Sequence, residues 1–144
     1  MMRMLITGGC GFVGHHVVEH FLKATGAEIV VWDKLTYAAS GFERLRDIQV
    51  FDDRRVTVLA CDFSQPISEG IHRETRALDY ILHLGAETHV DRSIADAEPF
   101  VLANVLGTFR MLEFARRQPN LRRFVYFSTA GRTRRRLLQA SKRP

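Results

Sequence analysis

The chain has 144 residues, enough to bury the core of one domain. Apolar residues make up 46% and charged residues 26%, an ordinary globular balance. No stretch reaches the roughly 18 apolar residues that a membrane-spanning helix needs. The net charge of +5 is uneven: residues 130–144 hold six basic and no acidic residues, so residues 1–129, with 15 basic and 16 acidic, give no electrostatic reason to expect nucleic acid.

In chain order, Met4-Leu5-Ile6 reads as a first strand, running into Thr7-Gly8-Gly9-Cys10-Gly11-Phe12-Val13-Gly14. Phe12-Val13, Val17-Val18 and Phe21-Leu22 follow at helical spacing, so strand, glycine-rich turn and helix meet at one point. Such a junction can hold a diphosphate, because the turn brings backbone close and the helix start offers free N–H groups. Gly9-x-Gly11-x-x-Gly14 fits the dinucleotide fingerprint, and Gly8, Gly11 and Gly14 also fall three apart.

Glu28-Ile29-Val30-Val31-Trp32-Asp33 is the expected second strand, with an acidic residue 19 positions after Gly14. A carboxylate there can accept from both adenosine ribose hydroxyls and repels a 2′-phosphate, so NAD is favoured over NADP; Lys34 softens that preference. Lys34 to Gly41 reads as a loop and Phe42 to Ile48 as a short helix. Val56 to Ala60 is a third strand ending at Cys61-Asp62, and Pro66 to Arg76 a surface helix. Leu78 to Leu84 is a fourth strand. Val101, Leu102, Val105, Leu106, Phe109 and Leu112 form the apolar stripe of a helix from Glu98, with Pro99 in its first turn. Arg123 to Phe127 is a fifth strand, followed by Ser128-Thr129.

Strands alternating with helices, several of them continuously apolar, predict an α/β Rossmann-type, doubly wound parallel sheet. Right-handed crossovers and a reversal after the first strand give five strands in the order 3-2-1-4-5. Thr7, Asp33, Asp62, Leu84 to Ala86 and Ser128-Thr129 all fall at strand ends, where they line one crevice.

Other features carry less. His16 and His20 with Glu19 match H-x-x-E-H, a zinc pattern, but this helix needs its apolar face against the sheet, and no metal is expected. Cys10 and Cys61 make no disulfide framework; Cys10 suits the turn as a small residue, although a helix N-terminus can also activate a thiol. No secretory signal is apparent, and a cytoplasmic setting is expected. The Arg-rich stretch from Arg132 to Arg136 would attract phosphate, but lacks an aromatic residue to stack on bases. Residues 130–144 are therefore expected to be a disordered, solvated tail with no specific nucleic-acid partner.

Residues 3–129 resemble the extended short-chain dehydrogenase/reductases of the NAD-dependent epimerase/dehydratase family, above all the dTDP-glucose 4,6-dehydratases. The segments that carry this are 6–14, Asp33-Lys34-Leu35-Thr36-Tyr37-Ala38, Leu84-Gly85-Ala86-Glu87-Thr88-His89-Val90-Asp91-Arg92-Ser93-Ile94, Asn104-Val105-Leu106-Gly107-Thr108 and Phe127-Ser128-Thr129. The resemblance implies NAD as cofactor, with Gly8, Gly11 and Gly14 in the turn and Phe12 and Val13 over the pyrophosphate. Asp33, Lys34, Leu35 and Thr36 would hold the ribose, and Asp62 and Phe63 would flank the adenine. Leu84, Gly85, Ala86, Glu87 and Thr88 would run beneath the cofactor. Thr88 and Thr129 would touch the sugar of a sugar nucleotide, Thr129 as the active-site Ser/Thr. Family members often carry Thr where Ala103 stands here, which removes one cofactor hydrogen bond.

The resemblance also shows what this stretch lacks. The family uses a Tyr-x-x-x-Lys pair to move the proton and an Asp-Glu pair after the Thr for water loss. Here the residues four after Tyr37, Tyr80 and Tyr126 are Gly41, Leu84 and Ala130, and Ala130-Gly131 follows Thr129. The expectation is a 1–129 cofactor domain truncated after strand five and inactive alone, with a non-catalytic dinucleotide-binding module or part of a 4-epimerase as alternatives. The change of composition at Ala130 reads as a truncated or frame-disrupted product, and an unfinished sheet is expected to self-associate.

Overall fold

The computed structural model describes residues 1–35, 41–88 and 90–128, with backbone alone for residues 90–92. The sheet comprises β1 (Arg3–Thr7), β2 (Glu28–Asp33), β3 (Val56–Ala60), β4 (Tyr80–His83) and β5 (Arg123–Tyr126), all parallel, in the order β3-β2-β1-β4-β5. The helices are α1 (Gly14–Ala24), α2 (Glu43–Asp47), α3 (Glu69–Glu74), α4 (Val90–Ala95), α5 (Glu98–Val101) and α6 (Thr108–Arg116), with a π-helical turn at Leu102–Gly107 between the last two. Strand order and class are those expected from sequence.

Strand side chains alternate between faces, and both faces are covered. Met4, Ile6, Ile29, Val31 and Leu82 pack with Val18 and Leu22 of α1 and Leu45 of α2. Leu5, Val30, Trp32 and Ile81 pack on the other side with Met111, Phe114 and Ala115 of α6. This is why β1, β2 and β4 read as continuous apolar runs. Arg55 closes the end of α1, donating through Nη1 to the Leu22 and Thr25 carbonyls at 3.1 Å each, and so satisfies acceptors that a helix C-terminus leaves open.

Two expectations need correction. The helix from Glu98 is α5, the π-helical turn and α6 in succession, and its sequence stripe does not face the sheet. Val101, Val105 and Phe109 are 54%, 64% and 58% exposed, whereas Gly107, Met111, Phe114 and Ala115 are buried. The wider π turn shifts the register of the face, and Gly107 admits the Phe63 ring where a Cβ would overlap it. The 66–76 helix shortens to α3, which Ser68 caps by accepting from the Ile71 amide. Helix α4 had no counterpart in the reading of the sequence.

β5 is an edge strand, with Val125 and Tyr126 partly exposed. Beside it a groove of about 760 Å³ runs between α1 and the β4–β5 face, lined by Phe12, Val13, Phe21, Leu82, Val125 and Phe127 among others. No helix among the described residues is long and apolar enough to cross a membrane.

Candidate functional site

The strands end level with one another. Thr7 pairs in register with Trp32 on one side and His83 on the other, Asp33 with Ala60, and His83 with Tyr126. The loops after β1, β2, β3 and β4 therefore rise together at the carboxyl edge of the sheet.

The loop after β1 is held by its own backbone. The Gly8 amide donates to the Trp32 carbonyl at 2.7 Å and the Gly11 amide to the Gly8 carbonyl at 3.0 Å. Gly8 has φ +70°, and a Cβ on it would lie 2.8 Å from the Gly85 Cα. A Cβ on Gly14 would overlap the Gly8 carbonyl oxygen. Glycine is thus required twice, once for a left-handed backbone and once for the close pass of the helix start over the turn. Helix α1 begins without a side-chain cap; the His15 amide already donates to the Gly11 carbonyl at 3.2 Å, so the amides ahead of His15, from Phe12 to Gly14, are the ones that face an anion. Phe12 and Val13 stand out from the turn, 75% and 57% exposed.

Asp33, 7% exposed, ties two loops together. Its Oδ2 accepts from the Cys10 amide at 3.0 Å and its Oδ1 from the Leu35 amide at 2.8 Å. Each oxygen keeps a further lone pair for a ligand hydroxyl. Lys34 turns to Asp62, Nζ to Oδ2 3.0 Å, which draws its charge away from Asp33. Burial opposes the Asp62 charge, but the Ser64 hydroxyl and amide and the Lys34 ammonium outweigh it and hold its carboxyl below the usual range. The Phe63 ring is buried between Gly85 and Gly107 and meets His83 edge-on at 4.9 Å.

The loop after β4 is pinned at two places. The Gly85 amide donates to Thr7 Oγ1 at 3.1 Å. The Glu87 amide donates to Asn104 Oδ1, and Asn104 Nδ2 donates to the Glu87 carbonyl, both at 2.9 Å. Asn104 belongs to the π-helical turn, which so holds this loop, while Thr108, four residues on, meets His83 at the end of β4. Leu84 is half-buried, and Ala86 and Thr88 are exposed. Thr36, His89, Thr129 and residues 130–144 lie outside the described residues.

Gly8, Gly11, Gly14, Asp33, Lys34, Leu35, Asp62, Phe63 and Leu84 to Thr88 thus gather at the carboxyl edge of the sheet, at or just beyond the ends of β1 to β4. Reasoning from sequence missed His83, Asn104 and Thr108 as parts of it. A histidine within Tyr80-Ile81-Leu82-His83-Leu84 was the available signal, since a polar ring in a buried strand requires partners. His83 is fully buried, with Nδ1 2.7 Å from Thr7 Oγ1 and Nε2 3.2 Å from Thr108 Oγ1. Burial pushes its pKa down to about 4.

Cys10 and Cys61 are buried and unpaired. Burial, then the neighbouring Asp33 charge, raises the Cys10 pKa to about 12 against the opposing pull of Arg44. The thiol is therefore a small turn residue rather than an activated nucleophile. Among the described residues no group of three His, Cys, Asp or Glu could hold a metal ion, so the H-x-x-E-H pattern of α1 has no third ligand there.

A family model described as the NAD dependent epimerase/dehydratase family matches residues 4–134, a few residues past Thr129. The dTDP-glucose 4,6-dehydratase of Escherichia coli is 40% identical over 115 residues, which are 80% of this chain and 31% of the relative. A probable dTDP-glucose 4,6-dehydratase of Sinorhizobium fredii is 44% identical over 80% of this chain and 32% of its own length. The dTDP-glucose 4,6-dehydratase of Streptomyces venezuelae, solved with NAD bound, superposes with a TM-score of 0.68 at 40% identity, over 79% of this chain and 35% of that one. The UDP-glucuronic acid 4-epimerase of Bacillus cereus, in complex with UDP-glucuronic acid and NAD, gives 0.75 at 25% identity, over 90% of this chain and 40% of that one. The chain thus spans about a third of the length of the curated relatives it matches.

Proposed function

The chain belongs to the NAD-dependent epimerase/dehydratase family, and from that premise we propose that it is the NAD-binding portion of a sugar-nucleotide 4,6-dehydratase of the dTDP-glucose type. The observation that carries the reading is the joint at Asp33, whose carboxylate holds the glycine turn and the post-β2 loop in one geometry. The residues fit the cofactor: a turn that tolerates no Cβ at Gly8 or Gly14, an uncapped helix start and a carboxylate at the ribose position.

Bound NAD supplies the hydride acceptor for oxidation of a sugar hydroxyl. The protein's part is to bind and orient. The amides at the start of α1 take the diphosphate, with Phe12 and Val13 shielding it from water. Asp33 accepts from the adenosine ribose hydroxyls and repels a 2′-phosphate. With Lys34 paired to Asp62, that repulsion stands undiluted. Leu35 and Thr36 continue the ribose contact, and Asp62 and Phe63 close the adenine end. Leu84 to Thr88 would run beneath the cofactor. Thr88 and Thr129 receive the sugar of the substrate, with Thr129 hydrogen-bonding its 4-hydroxyl.

Residues 1–144 by themselves are proposed to bind NAD without turnover, because no Tyr-x-x-x-Lys is present to move the hydroxyl proton and Ala130-Gly131 offers no acid or base. The 4-epimerase reading is the runner-up, favoured by the TM-score to the Bacillus cereus enzyme. The unpaired thiols support a cytoplasmic setting. The exposed Val101, Val105, Phe109 and Leu112 support self-association, which light scattering reads.

Calorimetric titration with NAD and NADP, followed by an assay for 4-keto-sugar formation from dTDP-glucose, tests these statements. NAD is expected to bind more tightly than NADP, Asp33→Ala to lose most of the binding, and no keto sugar to form. Equal binding by Asp33→Ala would overturn the cofactor assignment, and dehydration by the 144-residue chain would overturn the claim of inactivity.

A further inference from the structure

His83 ends β4, one residue before the loop assigned to the floor of the cofactor site. Its ring joins separate segments of chain: Thr7 at the end of β1, Thr108 at the start of α6, and Tyr126 of β5, on which it stacks at 5.5 Å and 24°. Phe63 and Phe124 complete the surroundings.

The hydrogens in this set can be counted. The Gly85 amide donates to Thr7 Oγ1. The Thr7 hydroxyl is fully buried, carries one hydrogen, and has His83 Nδ1 as its other partner among the described residues. Nδ1 therefore accepts, and the ring hydrogen sits on Nε2 and donates to Thr108 Oγ1. The opposite tautomer would strand the Thr7 hydrogen in the core without an acceptor. An apolar residue at 83 would do the same, which is a physical reason for a histidine in this strand.

We propose that His83 is a positioning residue for the cofactor: through Thr7 it aims the Gly85 amide and sets the loop 84–88 against the glycine turn. The Gly8 and Gly85 backbones pass so closely that a Cβ on Gly8 would lie 2.8 Å from the Gly85 Cα, so any shift of the loop 84–88 alters its approach to the glycine turn. Asn104 anchors the same loop at Glu87, so His83 and Asn104 hold its two ends. The inference rests on the reading that this crevice takes NAD.

The experiment has three readouts on the 144-residue chain. Long-range ¹H–¹⁵N correlation in histidine-labelled protein reports the ring tautomer with no substitution, and the Nε2–H form is expected. Amide exchange is then compared in the parent, in Thr7→Val, which nearly keeps the shape of residue 7, and in His83→Leu. Gly85 is expected to exchange at least about tenfold faster in both variants while Val30 and Val31 of β2 stay protected. NAD titration is expected to show roughly tenfold weaker binding in both, as loss of one buried hydrogen bond implies, with substantial recovery in His83→Asn, whose amide oxygen can accept from Thr7. An Nδ1–H tautomer in the parent, or Thr7→Val binding NAD as tightly as the parent, overturns the proposal. Absence of NAD binding by the parent overturns the cofactor reading instead, while tautomer and Gly85 exchange still decide whether His83 sets the loop.

Discussion

Acidification from pH 7 to 4.5 should destabilise this chain mainly through His83. Its folded pKa is about 4 against an ordinary value of 6.5, and burial is the cause. Between those two values the unfolded chain binds a proton at this site and the folded chain does not. The stability it contributes is therefore complete above pH 6.5, falls as pH drops toward 4, and changes no further below that. Each pH unit in the window is worth about 1.4 kcal/mol, so pH 4.5 should cost about 2.5 kcal/mol relative to pH 7. That is a large share of the few to fifteen kcal/mol typical of a small domain. Asp62, whose carboxyl lies below its usual range, keeps its contribution through this window and loses it only at more acidic pH. Urea midpoints of the parent and His83→Leu, measured at several values from pH 7.5 to 4.5, give the comparison. His83→Leu should be weaker at pH 7 and should lack the extra slope, so the two curves converge as pH falls. Parallel curves would refute the assignment of the slope to a buried neutral imidazole.

Gly8→Ala places a side chain on a backbone with φ +70°, against Gly85; a loss of about 2–4 kcal/mol in urea unfolding is expected, and a change within measurement error would mean the turn is not strained there. Asp33→Asn keeps one acceptor but turns an NH₂ toward the Cys10 or Leu35 amide; a cost of about 1–3 kcal/mol is expected from the unmet donor, together with NAD binding at least roughly tenfold weaker by calorimetry, and full retention of both would remove Asp33 as the joint. Both thiols, raised to about 12 by burial, should stay unmodified by iodoacetamide at pH 8 and be labelled together once urea unfolds the chain; rapid labelling of native Cys10 in a mass spectrum would contradict its place inside the turn.

Much of this molecule could be read from its residues because the relevant forces are local. The glycine spacing, the apolar runs and the strand-end Asp33 specify a tight turn, buried strands and a carboxylate at a fixed distance along the chain, and parallel strands with right-handed crossovers leave few orders open. The helix after β4 was less legible. Val101, Val105 and Phe109 obey helical spacing, yet they face outward, because the π-helical turn and Gly107 choose the packed face and no periodicity count sees either.

By itself, then, the sequence determined the fold class, the strand order and the residues that gather at the carboxyl edge, since each follows from spacing along one chain. Only the tertiary structure decided which polar groups share hydrogens: Lys34 with Asp62, Asn104 with Glu87, and His83 between Thr7 and Thr108. Those partners lie 17 to 76 residues apart. The pairing of buried donors and acceptors is a three-dimensional constraint that packing imposes after the chain has folded.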